Sequence, residues 1–331
     1  MKRIILILPI LLALISCEEN ISLQSLEQES RLQLYAFPCD CDSFLINVSL
    51  TQPVFGKAGR LDITEVSCTT NGLPDQVQLL HTETHNGLPL AIYKATGKHR
   101  PGDEIHITVR DASRPTATAS TFIPQDVPPA AVTCDTAYVP DQKIHYTLSL
   151  QDPSAGEHYY AVRIFQRGSV VSDGFYPSVR DSVLEENIYQ TWNLYYGTSW
   201  FLPHEYPYNY DIATISTELE HKLCHYLDIN FDPWNEYYKG LYFFSSRDFT
   251  SPADQFHLYT TPTWHSSHSI LQYFILSPDF HKMLRRINDQ LSNEMAESGL
   301  TTTFATYNNV RGGYGCVAGY ICHEYLDEML K

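Results

Sequence analysis

The chain has 331 residues, 43% of them hydrophobic, with 22 basic against 38 acidic side chains and a formal net charge of −16. That hydrophobic share excludes wholesale disorder, and the acidic excess excludes nucleic acid as a partner, because neutralising phosphates needs clustered Lys and Arg. The length suits two domains of ordinary size.

Residues 1–16 read as a secretory signal: Lys2 and Arg3 form a positive n-region, and the apolar run from Ile4 to Ile15 is too short for a comfortable transmembrane helix. Leu14-Ile15-Ser16-Cys17 has the form of a lipoprotein signal, so Cys17 is expected to carry lipid after cleavage and to hold the protein on a membrane. Removing Lys2 and Arg3 leaves 20 basic against 38 acidic residues, a net charge of −18. Such a surface offers anionic lipid no second, electrostatic hold, and the acyl chains would do the anchoring. Residues 17–30 read as a polar tether, opening with Glu18-Glu19.

From 31 to 123 the chain alternates with period two. Phe44, Ile46, Val48 and Leu50 share one face, as do Ile105, Ile107 and Val109. Further short runs lie at 61–68, 76–81, 89–95 and 115–123, separated by the turn signals Asn71-Gly72, Asn86-Gly87 and Pro101-Gly102. This predicts an immunoglobulin-like β-sandwich of about seven strands. Pro124–Pro129 reads as a stiff, polyproline-prone hinge. A second β-rich domain is expected over 130–325, with strands near 142–150, 158–166, 237–245, 255–261, 268–276, 301–308 and 314–321. Two helices interrupt it. The first is placed at 212–227, with Ile212, Ile215, Leu219, Leu223 and Tyr226 on one face. The second spans 278–298, capped by Ser277, opened by Pro278 and ended by Gly299. Its buried stripe would be Phe280, Met283, Leu284, Ile287, Leu291 and Met295. The fold class is thus mainly β: two sandwiches, the second elaborated with two helices and an aromatic-rich insert.

That insert holds 17 of the chain's 42 aromatic residues between Tyr189 and Phe244, a density that singles it out as an elaboration. Tyr and Trp offer large contact area at low entropic cost. Trp192, Tyr195, Tyr196, Trp200 and Trp234 are therefore candidates for binding a glycan, a peptide or a protein; the alternative is a satellite core. Asp228-x-Asn230-x-Asp232 begins like a calcium loop, but Pro233 and Lys239 stand where Gly and a bidentate Glu belong, which leaves these three as candidate ligands of an irregular calcium site sharing Glu236, the alternative being a polar helix exit. His221 and His225 have metal-compatible spacing, yet Lys222 replaces the Glu of the metalloprotease signature. His265 with His268 and His81 with His85 lack a convincing third ligand. Seven cysteines remain besides Cys17, so at least one is unpaired; Cys316 and Cys322 are placed to pair across a turn. There is no P-loop, no G-x-S-x-G and no papain-like context, and no cofactor is implied. Gly312–Gly315 reads as a hairpin turn.

Several phrases resemble a family of Bacteroidota outer-membrane lipoproteins, domain of unknown function 4249. They include Leu34-Tyr35-Ala36-Phe37, Leu45–Thr51, Thr118–Thr121, Tyr242–Phe249, Leu276–His281 and Asn308–Gly315. Cys316-Val317 depart from the apolar-aromatic pair usual at the close of the last phrase. The resemblance implies two β-rich domains, a place in the outer membrane and a TonB-dependent transporter as partner. In such lipoproteins, acids directly after the lipid cysteine resemble a surface-export signal. The expectation is a non-enzymatic accessory or ligand-binding partner of a transporter facing the cell exterior. The alternatives are a surface structural or adhesive module, and a hydrolase whose carboxylates meet only in space.

Overall fold

The computed structural model describes residues 30–51, 59–85, 88–135, 144–150, 156–167, 210–212, 215–217, 225–226, 241–248, 255–260, 269–291 and 307–326. In chain order the strands begin β1 (Leu32–Ala36), β2 (Ser43–Leu50), β3 (Ile63–Thr70), β4 (Leu73–Pro74) and β5 (Gln76–His85). β6 (Leu88–Thr96), β7 (Glu104–Asp111), β8 (Ala117–Phe122), β9 (Ala131–Asp135), β10 (Ile144–Ser149) and β11 (Tyr159–Arg167) follow. Three short strands come next: β12 (Tyr210–Ile212), β13 (Ile215–Thr217) and β14 (His225–Tyr226). The chain closes with β15 (Tyr242–Ser245), β16 (Gln255–Thr260), β17 (Ser269–Leu276), helix α1 (Pro278–Leu291), β18 (Tyr314–Val317) and β19 (Tyr320–Leu326).

The first sandwich pairs a sheet of order β18-β1-β2-β6-β5 with one of order β4-β3-β7-β8. Its core is the alternation seen in the sequence: Phe44, Ile46, Val48 and Leu50 from one sheet meet Ile105, Ile107, Val109 and Ala117 from the other. The Asn71-Gly72 turn joins β3 to β4 with both residues at positive φ, 51° and 79°, as a tight hairpin requires. The second sandwich pairs β13-β16-β10-β9 with β14-β15-β11-β17-β19, to which β12 adds on β11. Tyr146, Leu148, Phe256 and Leu258 fill it from one side, Val162, Phe244, Leu271 and Tyr273 from the other. The hydroxyls of Tyr146 and Ser269 bond across the two layers. The architecture is mainly β and sandwich-like, as the alternation predicts.

β17 is buried on both faces along all eight residues. One face looks into the sandwich; the other receives α1, through Phe280, Met283 and Leu284 packed on Ala161, Phe243, Phe274 and Leu276. Ser277 caps the helix, its hydroxyl accepting from the Phe280 N–H at 3.3 Å, and Pro278 fills the first turn where no N–H is needed. Ile287 is half-buried, and residues 292–298 lie outside the described ones.

Three expectations change. The helix at 212–227 is not observed where the chain is described: Tyr210–Ile212, Ile215–Thr217 and His225–Tyr226 are strands. The β-branched Thr214, Ile215 and Thr217 favour extension, and β16 and β15 give β13 and β14 backbone partners that an isolated helix would forgo. Cys316 and Cys322 do not pair; each is a free thiol, while Cys39 and Cys41 form a disulfide. The two sandwiches are also not serial units. β18, 280 residues downstream of β1, runs parallel to it with Tyr35 opposite Cys316. Phe37 and Cys39 then pack on α1, the rings of Phe37 and Phe280 lying 5.0 Å apart. The 124–129 segment is itself tied down: Val127 packs on the core, and Asp126 meets His323 at 2.7 Å.

Candidate interaction surface

Cys17, the aromatic candidates Trp192, Tyr195, Tyr196, Trp200 and Trp234, and the candidate metal ligands Asp228, Asn230 and Asp232 all lie outside the described residues. So do His221, His265 and His268. Among the described residues no three His, Cys, Asp or Glu side chains converge as a metal cluster.

The described chemistry is concentrated in three places, the first two of them not flagged by the sequence. The first is a buried Cys68–Asp75–His99 cluster. Asp75 Oδ2 accepts from the Thr70 hydroxyl at 2.8 Å and the Cys68 thiol at 3.2 Å, and stands 3.4 Å from His99 Nε2. His99 Nδ1 donates to the Cys41 carbonyl at 2.9 Å, which fixes the ring against the disulfide turn. The residue types are those of a nucleophilic triad, but the order is not. The thiol faces the carboxylate rather than the imidazole; burial first, and the adjacent Asp75 second, push it well above its ordinary value. A thiol held protonated is a poor nucleophile, and the cluster instead ties β3, the β4–β5 turn and the segment after β6 together.

The second is a polar ladder on the α1 side of the second sandwich. Arg163, fully buried, donates through Nε and Nη2 to Gln272 Oε1 at 3.0 and 2.8 Å, and Gln272 Nε2 donates to Glu324 Oε1 at 2.7 Å. The guanidinium also lies over the Phe274 ring, 5.4 Å from its centre. It locks β11, β17 and β19 in register. The third is the Asn308–Gly315 phrase. Asn309 bonds the Val317 backbone, Tyr307 donates to Asp279 at 2.6 Å, and Arg311 forms a backbone bridge to Thr118 of β8. That phrase is a structural clasp between α1, β1 and β8.

What is left exposed is an edge. Among the described residues β5 pairs with β6 alone, which makes it an edge strand of its sheet. Between Leu79 and His81 the register shifts, and Leu80 is the extra residue. A bulge of this kind re-aims side chains. Leu79 and Leu80 are 47% and 42% exposed, and Leu73 on the neighbouring β4 is 72% exposed. These three exposed leucines lie on two sheet-edge strands that follow one another in the chain, and Gln78, Thr82, Glu83 and Thr84 are exposed polar residues along β5. Sequence alternation alone could not find it, because the run at 76–81 shows there as a strand with nothing to mark it as an edge.

Two packed sandwiches, clasped by the chain's last strands, define a mainly β, sandwich-like protein. The chain belongs to the family described as a domain of unknown function (DUF4249), whose profile matches residues 18–324. No curated protein matches it. Among solved structures it has a slight likeness to the collagen adhesin (CNA) from S. aureus: 6% identity and a TM-score of 0.15 over 92% of this chain and 96% of that one.

Proposed function

We propose that the protein is a lipid-anchored accessory lipoprotein of the Bacteroidota outer membrane, facing outwards and working with a TonB-dependent transporter without catalysing a reaction. The observation that carries this reading is the bulged β5 edge with Leu73, Leu79 and Leu80 exposed beside it. An open strand edge supplies a row of backbone donors and acceptors, and partners use such edges by adding a strand. The bulge interrupts the row, which disfavours indiscriminate edge-to-edge pairing and suits a partner shaped to it. The signal-like residues 1–16 and Cys17 support the anchor, and the family resemblance supports the transporter.

Purification of a tagged chain from detergent-solubilised outer membranes of its host tests the reading. A transporter is expected at stoichiometric yield, with Cys17 acylated. A tagged protein that stays in the soluble fraction, or that leaves the membrane with no transporter, overturns it.

A further inference from the structure

The outward face of the β9–β10–β16 sheet carries an arrangement that the contact edge does not use. Along β10 the residues alternate strictly: Ile144, Tyr146 and Leu148 are buried, while His145, Thr147 and Ser149 turn outwards, half-buried. β16 does the same, with His257 and Tyr259 outward. The register sets His145 opposite Tyr259 and Thr147 opposite His257, so the two histidines are diagonal neighbours across an antiparallel pair.

Their side chains meet. His145 Nε2 and His257 Nδ1 are 3.0 Å apart, and Thr147 Oγ1 lies 3.2 Å from His257 Nδ1 and 3.4 Å from His145 Nε2. Three polar atoms thus form a nearly equilateral triangle. Two ligands of a tetrahedral zinc ion, each at about 2.0–2.1 Å from it, stand about 3.3 Å from one another. The triangle therefore has the ligand-to-ligand spacing of a metal site. The Tyr259 ring stacks flat on His145, 4.7 Å between centres and 7° between planes, which holds the imidazole in its orientation. Asp135 of β9 stands directly opposite His145 on its other side.

We infer that His145 and His257, with Thr147 beside them, bind a divalent transition ion of the imidazole-preferring kind, zinc foremost. Neutral imidazole nitrogens suit zinc, nickel and copper, whereas calcium and magnesium prefer oxygen. In the metal-free pair one of the facing nitrogens keeps a proton and donates it to the other. Binding requires that proton to move to the remote ring nitrogen, so the bound form has His145 protonated at Nδ1 and His257 at Nε2. The two imidazoles supply two coordination positions and water completes the sphere, with the Thr147 hydroxyl placed to hydrogen-bond a bound water. Because the ligands project from paired strands over a packed core, little ordering is needed on binding.

Zinc alone, titrated into the full chain and followed calorimetrically, tests this. One equivalent is expected to bind, and His145→Gln or His257→Gln should each weaken that event by about tenfold or more. Thr147→Val should weaken it less, and His106→Gln on the first sandwich should leave it unchanged. Histidine-selective isotope labelling of the unmutated chain gives an independent reading: two imidazole spin systems should shift together and adopt the stated tautomers. Absence of any one-equivalent event below about 1 mM zinc overturns the inference. So does a titration that both glutamine variants reproduce, because the ion is then held elsewhere.

Discussion

The side-chain amide of Asn309 makes both hydrogen bonds to the backbone of Val317: Nδ2 donates to the carbonyl at 2.7 Å, and the Val317 N–H donates to Oδ1 at 2.9 Å. Asn309 thereby imitates a neighbouring strand for one residue of β18, the strand that completes the first sandwich from the far end of the chain. Replacement by Leu leaves a backbone donor and acceptor without partners at a part-buried position, at a cost of about 1–3 kcal/mol per group. Asn309→Leu is expected to lower the unfolding midpoint by several degrees, as read by circular dichroism. An unchanged midpoint would show that β18 does not depend on the clasp.

Gly315 is the tighter constraint in the same phrase. Its φ is 125°, a region that side chains avoid, and a Cβ there would run into the Leu34 carbonyl of β1. Both obstacles are backbone, so neither can be relieved by a rotamer change. Gly315→Ala should lose soluble, folded protein, whereas Gly72→Ala, whose Cβ would meet nothing within 4 Å, should cost only about 1 kcal/mol for its positive φ. Comparing soluble yield and denaturant midpoint for the two variants checks the difference.

Stability should fall on the alkaline side. Burial is the first cause that pushes up the pKa of Cys68, Cys316, Cys322, Tyr273, Tyr307 and Tyr320; neighbouring Asp75 adds to it at Cys68 and Asp279 at Tyr307. A group whose folded value is raised binds its proton more tightly folded than unfolded. Its contribution is complete below the unfolded value and is lost as pH rises from there towards the folded one. Thiols ordinarily titrate near 9 and phenols near 10, so the loss should begin at about pH 9. Asp111 works in the other direction. Burial alone would raise it, but N–H groups of Ser113 and Asp62, the Ser113 hydroxyl and the Arg114 guanidinium together hold it below its usual value. Its contribution is present above about pH 4 and is lost as pH falls further. Urea midpoints measured from pH 3 to 11 should therefore plateau between these limits, and a midpoint still rising at pH 10 would contradict the assignment.

Much of the fold was legible because its signals are local. Ser277-Pro278 marks the start of α1 through capping chemistry, Asn71-Gly72 marks a hairpin through φ, and β7 and β10 show themselves by alternation. The misread helix at 212–227 shows where local reasoning stops: Ile212, Ile215, Leu219 and Tyr226 have helical spacing, yet strand edges nearby decide the backbone. The parallel β1–β18 pairing, the Cys68–Asp75–His99 cluster and the His145–His257 triangle depend on residues separated by up to about 280 positions. No periodicity encodes such meetings; packing creates them. The candidate residues for binding lie in segments outside the described ones, so the contact edge rests on β4 and β5 instead.

That edge can be separated from the core by mutation. Leu73 is largely exposed, whereas Leu79 and Leu80 are a little over half buried, so Lys there keeps the covered part of the contact only through its aliphatic stem. Each substitution at 79 and 80 should cost about 1 kcal/mol, and the one at 73 less. Lys on an edge strand also opposes strand addition, because a docked strand would bury its charge. The triple variant Leu73→Lys, Leu79→Lys, Leu80→Lys should therefore still fold, with a somewhat lower unfolding midpoint, and keep its acylation and its zinc titration, yet recover at least about tenfold less partner from solubilised membranes. Equal partner recovery would move the contact surface away from β4 and β5 while leaving the lipid anchor and the imidazole pair to be judged by their own measurements.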